Sequence, residues 1–269
     1  MARRRRSRKT KGKGKSLFYV FVALIVFIAA GLIYLKFFAK VTAPVAVENP
    51  YKGDNSFQSY VTHFSKYTVF GIDVSEYQKN IDWKKVAAEK GMKFVFIRAT
   101  AGKDRVDRNF VTNWYAAGRN DLIRGAYHYY RPDENSAVQA ENFIKTVSLL
   151  PGDLPPVLDI EAYSRVQNTS SLKTGLLNWL ETVEKHYGVT PILYTFPSMY
   201  KSLFRNDVRF NKYTVWISYL RITGDAADVA PEWKFWQFSH GGIVNGINSK
   251  VDVDVFNGKT EDLEKLVIK

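Results

Sequence analysis

The sequence predicts an α/β fold: a modified TIM-like barrel of five βα units followed by three further strands. From residue 67 onward, short β-rich runs alternate with helical patterns. The helical patterns fade after the fifth strand. No Gly-rich phosphate loop follows the first strand, which disfavours the alternative of a doubly wound open sheet.

The elements follow in order. A strand is expected over 68–74 and a helix over 83–90, ended by Gly91. The second strand covers 94–99. A helix over 109–119 then places Phe110, Val111, Trp114 and Tyr115 on one side. Strand three is expected over 123–129 with a helix over 135–147, and strand four over 156–161. The longest helix, over 171–187, carries Leu172, Leu176, Trp179, Leu180 and Val183 at helical spacing. Strand five covers 190–194 and is trailed by a short helix near 198–204. Strands over 213–218, 234–238 and 251–256 have little helical sequence between them.

The chain has 269 residues, 46% hydrophobic and 15% aromatic, enough to bury a substantial core. It has no cysteine, so disulfides, zinc–thiolate sites and cysteine nucleophiles are excluded. The net charge of +13 is concentrated at one end: nine Lys or Arg residues lie between Arg3 and Lys15, and no acid precedes Glu48. With Lys36 and Lys40 also set aside, 28 basic face 26 acidic residues, a net charge of only +2. That removes most of the argument for a nucleic-acid partner.

Residues 17–35 (LFYVFVALIVFIAAGLIYL) form a run of nineteen without a charge. At about 1.5 Å per residue, a helix of this length approaches the roughly 30 Å hydrocarbon core of a bilayer. The basic block before it is expected to stay in the cytoplasm. A nuclear-localisation or nucleic-acid arm is the competing reading of that block, and the apolar run directly after it argues against one. A cleaved signal peptide is the stronger competitor to an anchor; Val41-Thr42-Ala43 could serve as its small-x-small site, but Pro44 sits where the cleaved bond would have to be. The expected organisation is a basic cytoplasmic segment at 1–16, a transmembrane helix at 17–38, a linker at 39–66 and a folded domain at 67–269 on the far side of the membrane.

In a βα barrel, functional side chains gather at the C-terminal strand ends. Those ends offer Asp73, Arg98 with Thr100, Tyr127 with Tyr129, Asp159 with Glu161, Tyr194, Trp216, Gln237, and Asp252 with Asp254. Acids and aromatics suit a carbohydrate, whose ring faces stack while its hydroxyls need acceptors. In Leu158-Asp159-Ile160-Glu161, residues i and i+2 of a strand face one side, about 6–7 Å apart. Two such carboxylates cannot both ionise freely, which leaves a proton donor beside an anion, the combination glycoside hydrolysis needs. Ordinary strand-end acids or metal ligands are the competing readings, but no His-rich or phosphate-cradling partner accompanies the pair, and no metal or cofactor is expected. Asp73 reads equally as a second pole of the site or as a turn acid. His128, between Tyr127 and Tyr129, is expected to face away from them into packing. His63, His186 and His240 show no spacing of interest.

Five motifs stand in the chain in order: Phe70-Gly71-Ile72-Asp73-Val74-Ser75 with Tyr77-Gln78 and Ile81-Asp82-Trp83, Gly125-Ala126-Tyr127-His128, Pro156-Val157-Leu158-Asp159-Ile160-Glu161, Ile192-Leu193-Tyr194-Thr195, and Trp236-Gln237-Phe238 leading to Gly246-Ile247 and Val251-Asp252. Together they resemble the motifs of the glycoside hydrolase family 25 lysozymes. They arrive in the family's order over about residues 67–257. The resemblance implies a modified barrel and a muramidase that cleaves the β-1,4 bond between N-acetylmuramic acid and N-acetylglucosamine in peptidoglycan. It also implies Glu161 as general acid, Asp159 as the residue that orients the substrate N-acetyl group, and Asp73 and Asp252 as further acids of the cleft. Tyr127, Tyr129, Tyr194, Trp216, Gln237, Asp252 and Asp254 are the expected substrate-binding residues. One departure is Ala99-Thr100-Ala101-Gly102, where many members carry an acid in place of Ala101. Competing expectations are a catalytically silent cell-wall glycan binder and a hydrolase of another N-acetylated glycan such as chitin. A monomer is expected, single-pass in the bacterial cytoplasmic (inner) membrane, with the catalytic domain at 67–269 facing the periplasm or cell wall.

Overall fold

The computed structural model describes residues 54–222 and 224–269. The basic segment, the apolar run and most of the linker expected at 1–53 lie outside the described residues. Among the described residues no helix is long and apolar enough to cross a membrane.

Eight strands close into a barrel. β1 (Phe70–Val74) pairs in parallel with β2 (Met92–Ala101), and the parallel order continues through β4 (Ile123–Tyr129), β5 (Val157–Asp159), β6 (Ile192–Thr195), β7 (Thr214–Ser218) and β8 (Trp233–Gly242). The last stave, β9 (Val251–Phe256), runs antiparallel to both β8 and β1 and closes the ring. The two-residue β3 (Arg105–Val106) folds back on the end of β2 as a small antiparallel appendage.

Helices cover the first staves: α2 (Trp83–Ala87), α3 (Phe110–Gly118), α4 (Ser136–Thr146) and α5 (Thr169–Tyr187). Between β6 and β9 come only α6 (Pro197–Met199), a π turn over Tyr200–Phe204 and short 3₁₀ turns. The five βα units and three further strands read from the sequence are therefore present. Local signals set the ends. Asp82 caps α2, Asn135 caps α4, and Asn168 caps α5, which ends on Gly188 in the left-handed region. Several boundaries differ from expectation: α2 stops at Ala87, with Gly91 taking the turn at φ +91°, β5 is only three residues long, and β2 and β8 each run to ten residues.

The linker expected at 39–66 needs correction at its end. α1 (Phe57–His63) is part of the compact unit, with Phe57, Tyr60 and Phe64 buried. Phe57 meets Phe70 edge-on at 6.0 Å, Phe64 lies 4.6 Å from Phe238, and the Tyr60 and Ser239 hydroxyls bond at 2.9 Å. Three aromatics on one face of a short helix supply apolar area that neighbouring polar residues conceal in the sequence.

The core has two layers. Inside the barrel Phe94, Phe96, Trp216, Phe235 and Phe256 pack together, and Leu263 of α7 (Thr260–Leu263) joins them. Between staves and helices lies a larger apolar shell that includes Leu158, Ile160, Leu176 and Trp179. Two inward glycines make room for the inner rings. A methyl at Gly71 would collide with the Phe94 ring, and one at Gly125 would sit 2.6 Å from the Phe96 ring. Both glycines belong to the sequence motifs, and the reason is the space the rings need.

Candidate active site

One end of the barrel opens into a cavity of about 400 Å³. Of the sequence-predicted residues, Asp73, Tyr127, Tyr129, Asp159, Glu161, Tyr194, Trp216, Gln237 and Asp252 line it. The register explains the gathering: Tyr129 lies beside Asp159, Asp159 beside Tyr194, Tyr194 beside Trp216, and Asp73 beside Asp252. Because β9 is antiparallel, its first residues reach the end where the parallel strands finish.

Asp254 is a correction. It does not line the cavity but lies fully buried beneath it, its carboxylate accepting from Trp216 Nε1 at 2.8 Å. Two residues further along an antiparallel stave lead deeper into the barrel, so Asp254 supports the floor rather than meeting a ligand. Trp216 is itself almost wholly buried, stacked on Phe96 at 4.2 Å, and forms that floor. Thr100 also departs from expectation. The β2–β4 register slips between Arg98 and Thr100, which turns Thr100 outward to bond His128 Nδ1 at 2.7 Å. His128 faces away from the cavity, as expected, stacked on Trp179 and bonded to Gln139.

A chain of hydrogen bonds crosses the cavity wall. Tyr194 Oη lies 3.3 Å from Glu161 Oε1 and 3.0 Å from Gln237 Oε1, which also accepts from Ser218 Oγ at 2.6 Å. Gln237 Nε2 donates to Asp73 Oδ2 at 2.7 Å. Asp159 stands apart from this chain, and its Oδ1 is buried with no hydrogen-bond partner.

Electrostatics follow from five carboxyls close together. Burial, then the Glu161 charge, pushes Asp159 well above the usual carboxylate range, opposed by the Arg98 guanidinium. Glu161 is raised by partial removal from water, opposed by the Tyr194 hydroxyl. Burial, then repulsion from Asp252 and Asp254, raises Asp73 strongly. Burial brings Asp252 up to about 7, aided by Glu161 and opposed by its bond with Asp73. Each of these carboxyls therefore binds its proton more tightly than a free carboxyl does.

Some of the lining was not singled out from the sequence. Ser75, Tyr77, Gln78, Ser218 and Leu220 contribute, and His240 stands at the rim despite its uninformative spacing. An ion network under one wall, buried at Arg98 and Asp107, was also missed. Arg98 Nε donates to Asp107 Oδ2 at 2.9 Å, and Glu76 gathers Arg98, Arg105 and Arg108. Asp107 lies in the loop after β3, and nothing in its local sequence points to Arg98. Among the described residues, no group of His, Cys, Asp or Glu is placed to hold a metal ion.

The sequence matches the family described as Glycosyl hydrolases family 25 over residues 72–247. It is 40% identical to YegX of Escherichia coli (strain K12) over 208 residues, covering 76% of this chain and 75% of that protein. It is 32% identical to Lysozyme M1 of Streptomyces globisporus over 206 residues, covering 72% of this chain and 70% of that one. Among solved structures, a family 25 glycosyl hydrolase from Bacillus anthracis superposes with a TM-score of 0.70 at 32% identity, covering 77% of this chain and 96% of that one.

Proposed function

The chain belongs to glycosyl hydrolases family 25 and is a glycoside hydrolase of the lysozyme type, and on that premise we propose how its residues cleave peptidoglycan. The bond broken is the β-1,4 link between N-acetylmuramic acid and N-acetylglucosamine. Glu161 is the general acid and Asp159 the residue that receives the substrate acetamide.

The observation that carries this reading is the pairing of Glu161 with an Asp159 whose buried Oδ1 lacks a partner. Burial favours a proton on Asp159. An acetamide N–H donated to Oδ1 stabilises the carboxylate and leaves Glu161 to carry the pair's proton. Glu161 then protonates the glycosidic oxygen as the C–O bond breaks, and the acetamide oxygen attacks the anomeric carbon to form an oxazolinium ion. Water opens that ion, giving its proton to the Glu161 carboxylate, and the anomeric configuration is retained. Asp73 and Asp252 line the cavity beside this pair, while Tyr127, Tyr129, Tyr194, Trp216 and Gln237 shape the sugar site.

The test incubates the full-length protein with purified peptidoglycan and with chitin, beside Glu161→Gln. Muropeptides ending in reducing N-acetylmuramic acid, absent with the variant, support the reading. Release from chitin alone would assign another N-acetylated glycan. No release from either would leave a glycan-binding role, and a glycosyl adduct trapped on Asp159 would replace acetamide attack with an enzyme nucleophile. We further place the protein as a monomer anchored in the bacterial cytoplasmic membrane by residues 17–38, its domain facing the wall. The uncharged run at 17–35 and the basic block before it support that placement.

A further inference from the structure

Two buried polar atoms without hydrogen-bond partners belong to residues that line the same cavity: Asp159 Oδ1, an acceptor, and Arg98 Nη2, a donor. Arg98 is 9% exposed and its guanidinium is held from behind. Nε donates to Asp107 Oδ2 at 2.9 Å, and Asp107 is fixed in turn by the backbone N–H groups of Glu76 and Asn109. Nη2 lies 3.4 Å from Glu76 Oε1, an ion pair without hydrogen-bond geometry. The Tyr77 ring covers the guanidinium at 4.9 Å. A buried charged donor without a hydrogen-bond acceptor, on a residue that lines a cavity, carries a cost that a ligand oxygen would relieve.

The register places Arg98 on the inner face two staves from Asp159, through Tyr127 and Tyr129 of β4. A sugar whose C2 acetamide donates to Asp159 carries its C3 substituent on the adjacent ring carbon. In N-acetylmuramic acid that substituent is a lactyl ether ending in a carboxylate or, with a stem peptide attached, an amide carbonyl. N-acetylglucosamine has only a hydroxyl there.

We propose that Arg98 is the specificity-determining residue for muramic acid, donating from Nη2 to the carbonyl-type oxygen of the 3-O-lactyl group while Asp159 holds the neighbouring acetamide. This rests on the muramidase reading above and deepens it. The frame of Asp107, Glu76 and Tyr77 presets the guanidinium, so little side-chain freedom is lost on binding.

The test crosses one substitution with one chemical change in the substrate. Peptide-free glycan strands are compared with the same strands after reduction of the lactyl carboxyl to an alcohol, using the full-length protein and Arg98→Gln, with kcat/KM read from new reducing ends. The wild type should prefer the unreduced strands by about ten- to hundredfold, the range of a hydrogen bond to a charged group. Arg98→Gln should lose about that factor on unreduced strands and little on reduced ones, bringing the preference close to one. Equal wild-type rates on the two substrates would overturn the assignment, even if the variant failed to fold. So would an equal loss by a folded variant on both substrates, which is the mark of a structural role or of an effect through Asp159. A wild type that cleaves neither substrate would instead remove the muramidase reading and this inference with it.

Discussion

Gln237 Nε2 donates to Asp73 Oδ2 at 2.7 Å, joining β8 to β1 across the intervening β9. The same amide accepts from Tyr194, which also reaches Glu161, so one glutamine connects the two acidic poles of the cavity. Gln237→Met keeps the volume and removes both connections. It should lower kcat by about tenfold or more, since a buried carboxyl and a tyrosine hydroxyl both lose a partner. Steady-state kinetics on peptidoglycan check this, and an unchanged kcat would show that the link is structural only.

Glu161→Gln should reduce turnover by about 10²- to 10⁴-fold, the usual contribution of general acid catalysis. The protein should fold normally, because the side chain is open to the cavity and the amide can still accept from Tyr194. Reducing-end release and thermal melting, measured together, separate lost chemistry from lost structure.

Tyr194→Phe removes the hydroxyl that holds Glu161 down. The Glu161 pKa should then rise further, so the acid keeps its proton to higher pH. The alkaline limb of the kcat profile should move to higher pH even as the maximum falls. A limb that stays in place or moves down would separate Glu161 from the proton donor.

Asp252 titrates at about 7 in the folded protein against an ordinary 3.8. A raised folded-state pKa means that the native state binds the proton more tightly than the unfolded chain. Its contribution to stability is therefore complete below about 4 and is lost as the pH rises through about 7. Asp73, Asp159 and Asp254, raised by burial, act in the same direction. The melting temperature should be several degrees higher at pH 5 than at pH 8, and Asp252→Asn should flatten that slope.

Phe57→Ala, although outside the 67–269 segment expected to form the domain, should cost about 3–5 kcal/mol. Phe57 is 1% exposed and its ring meets Phe70 of the first stave. Urea unfolding measures it directly. A loss under about 1 kcal/mol would return α1 to the role of a linker.

Much of the barrel was legible because its signals are local. Apolar periodicity marks α5 and placed its ends within two residues of those observed. Ile123–Tyr129 and Val251–Phe256 were readable to the residue, each bounded by polar or glycine-containing turns. The candidate site was legible wherever strand alternation held, as it does for Tyr127 with Tyr129 and for Asp159 with Glu161. It failed where alternation broke. The register slip beyond Arg98 turned Thr100 outward, and the antiparallel entry of β9 sank Asp254 below the floor.

By itself the sequence determined the order of strands and helices, the family motifs and the identity of the acids at the strand ends. Period, capping residues and composition are properties of neighbouring residues. Only the tertiary structure decided that Gln237 and Tyr194 bridge Asp73 and Glu161, that Asp107 and Glu76 brace Arg98, and that Asp159 Oδ1 and Arg98 Nη2 are buried without hydrogen-bond partners. These are relations between residues far apart in the chain, set by closure of the barrel and by the water it excludes. The protonation of the acids belongs with them, because burial and neighbouring charge fix it, and neither exists until the staves have met.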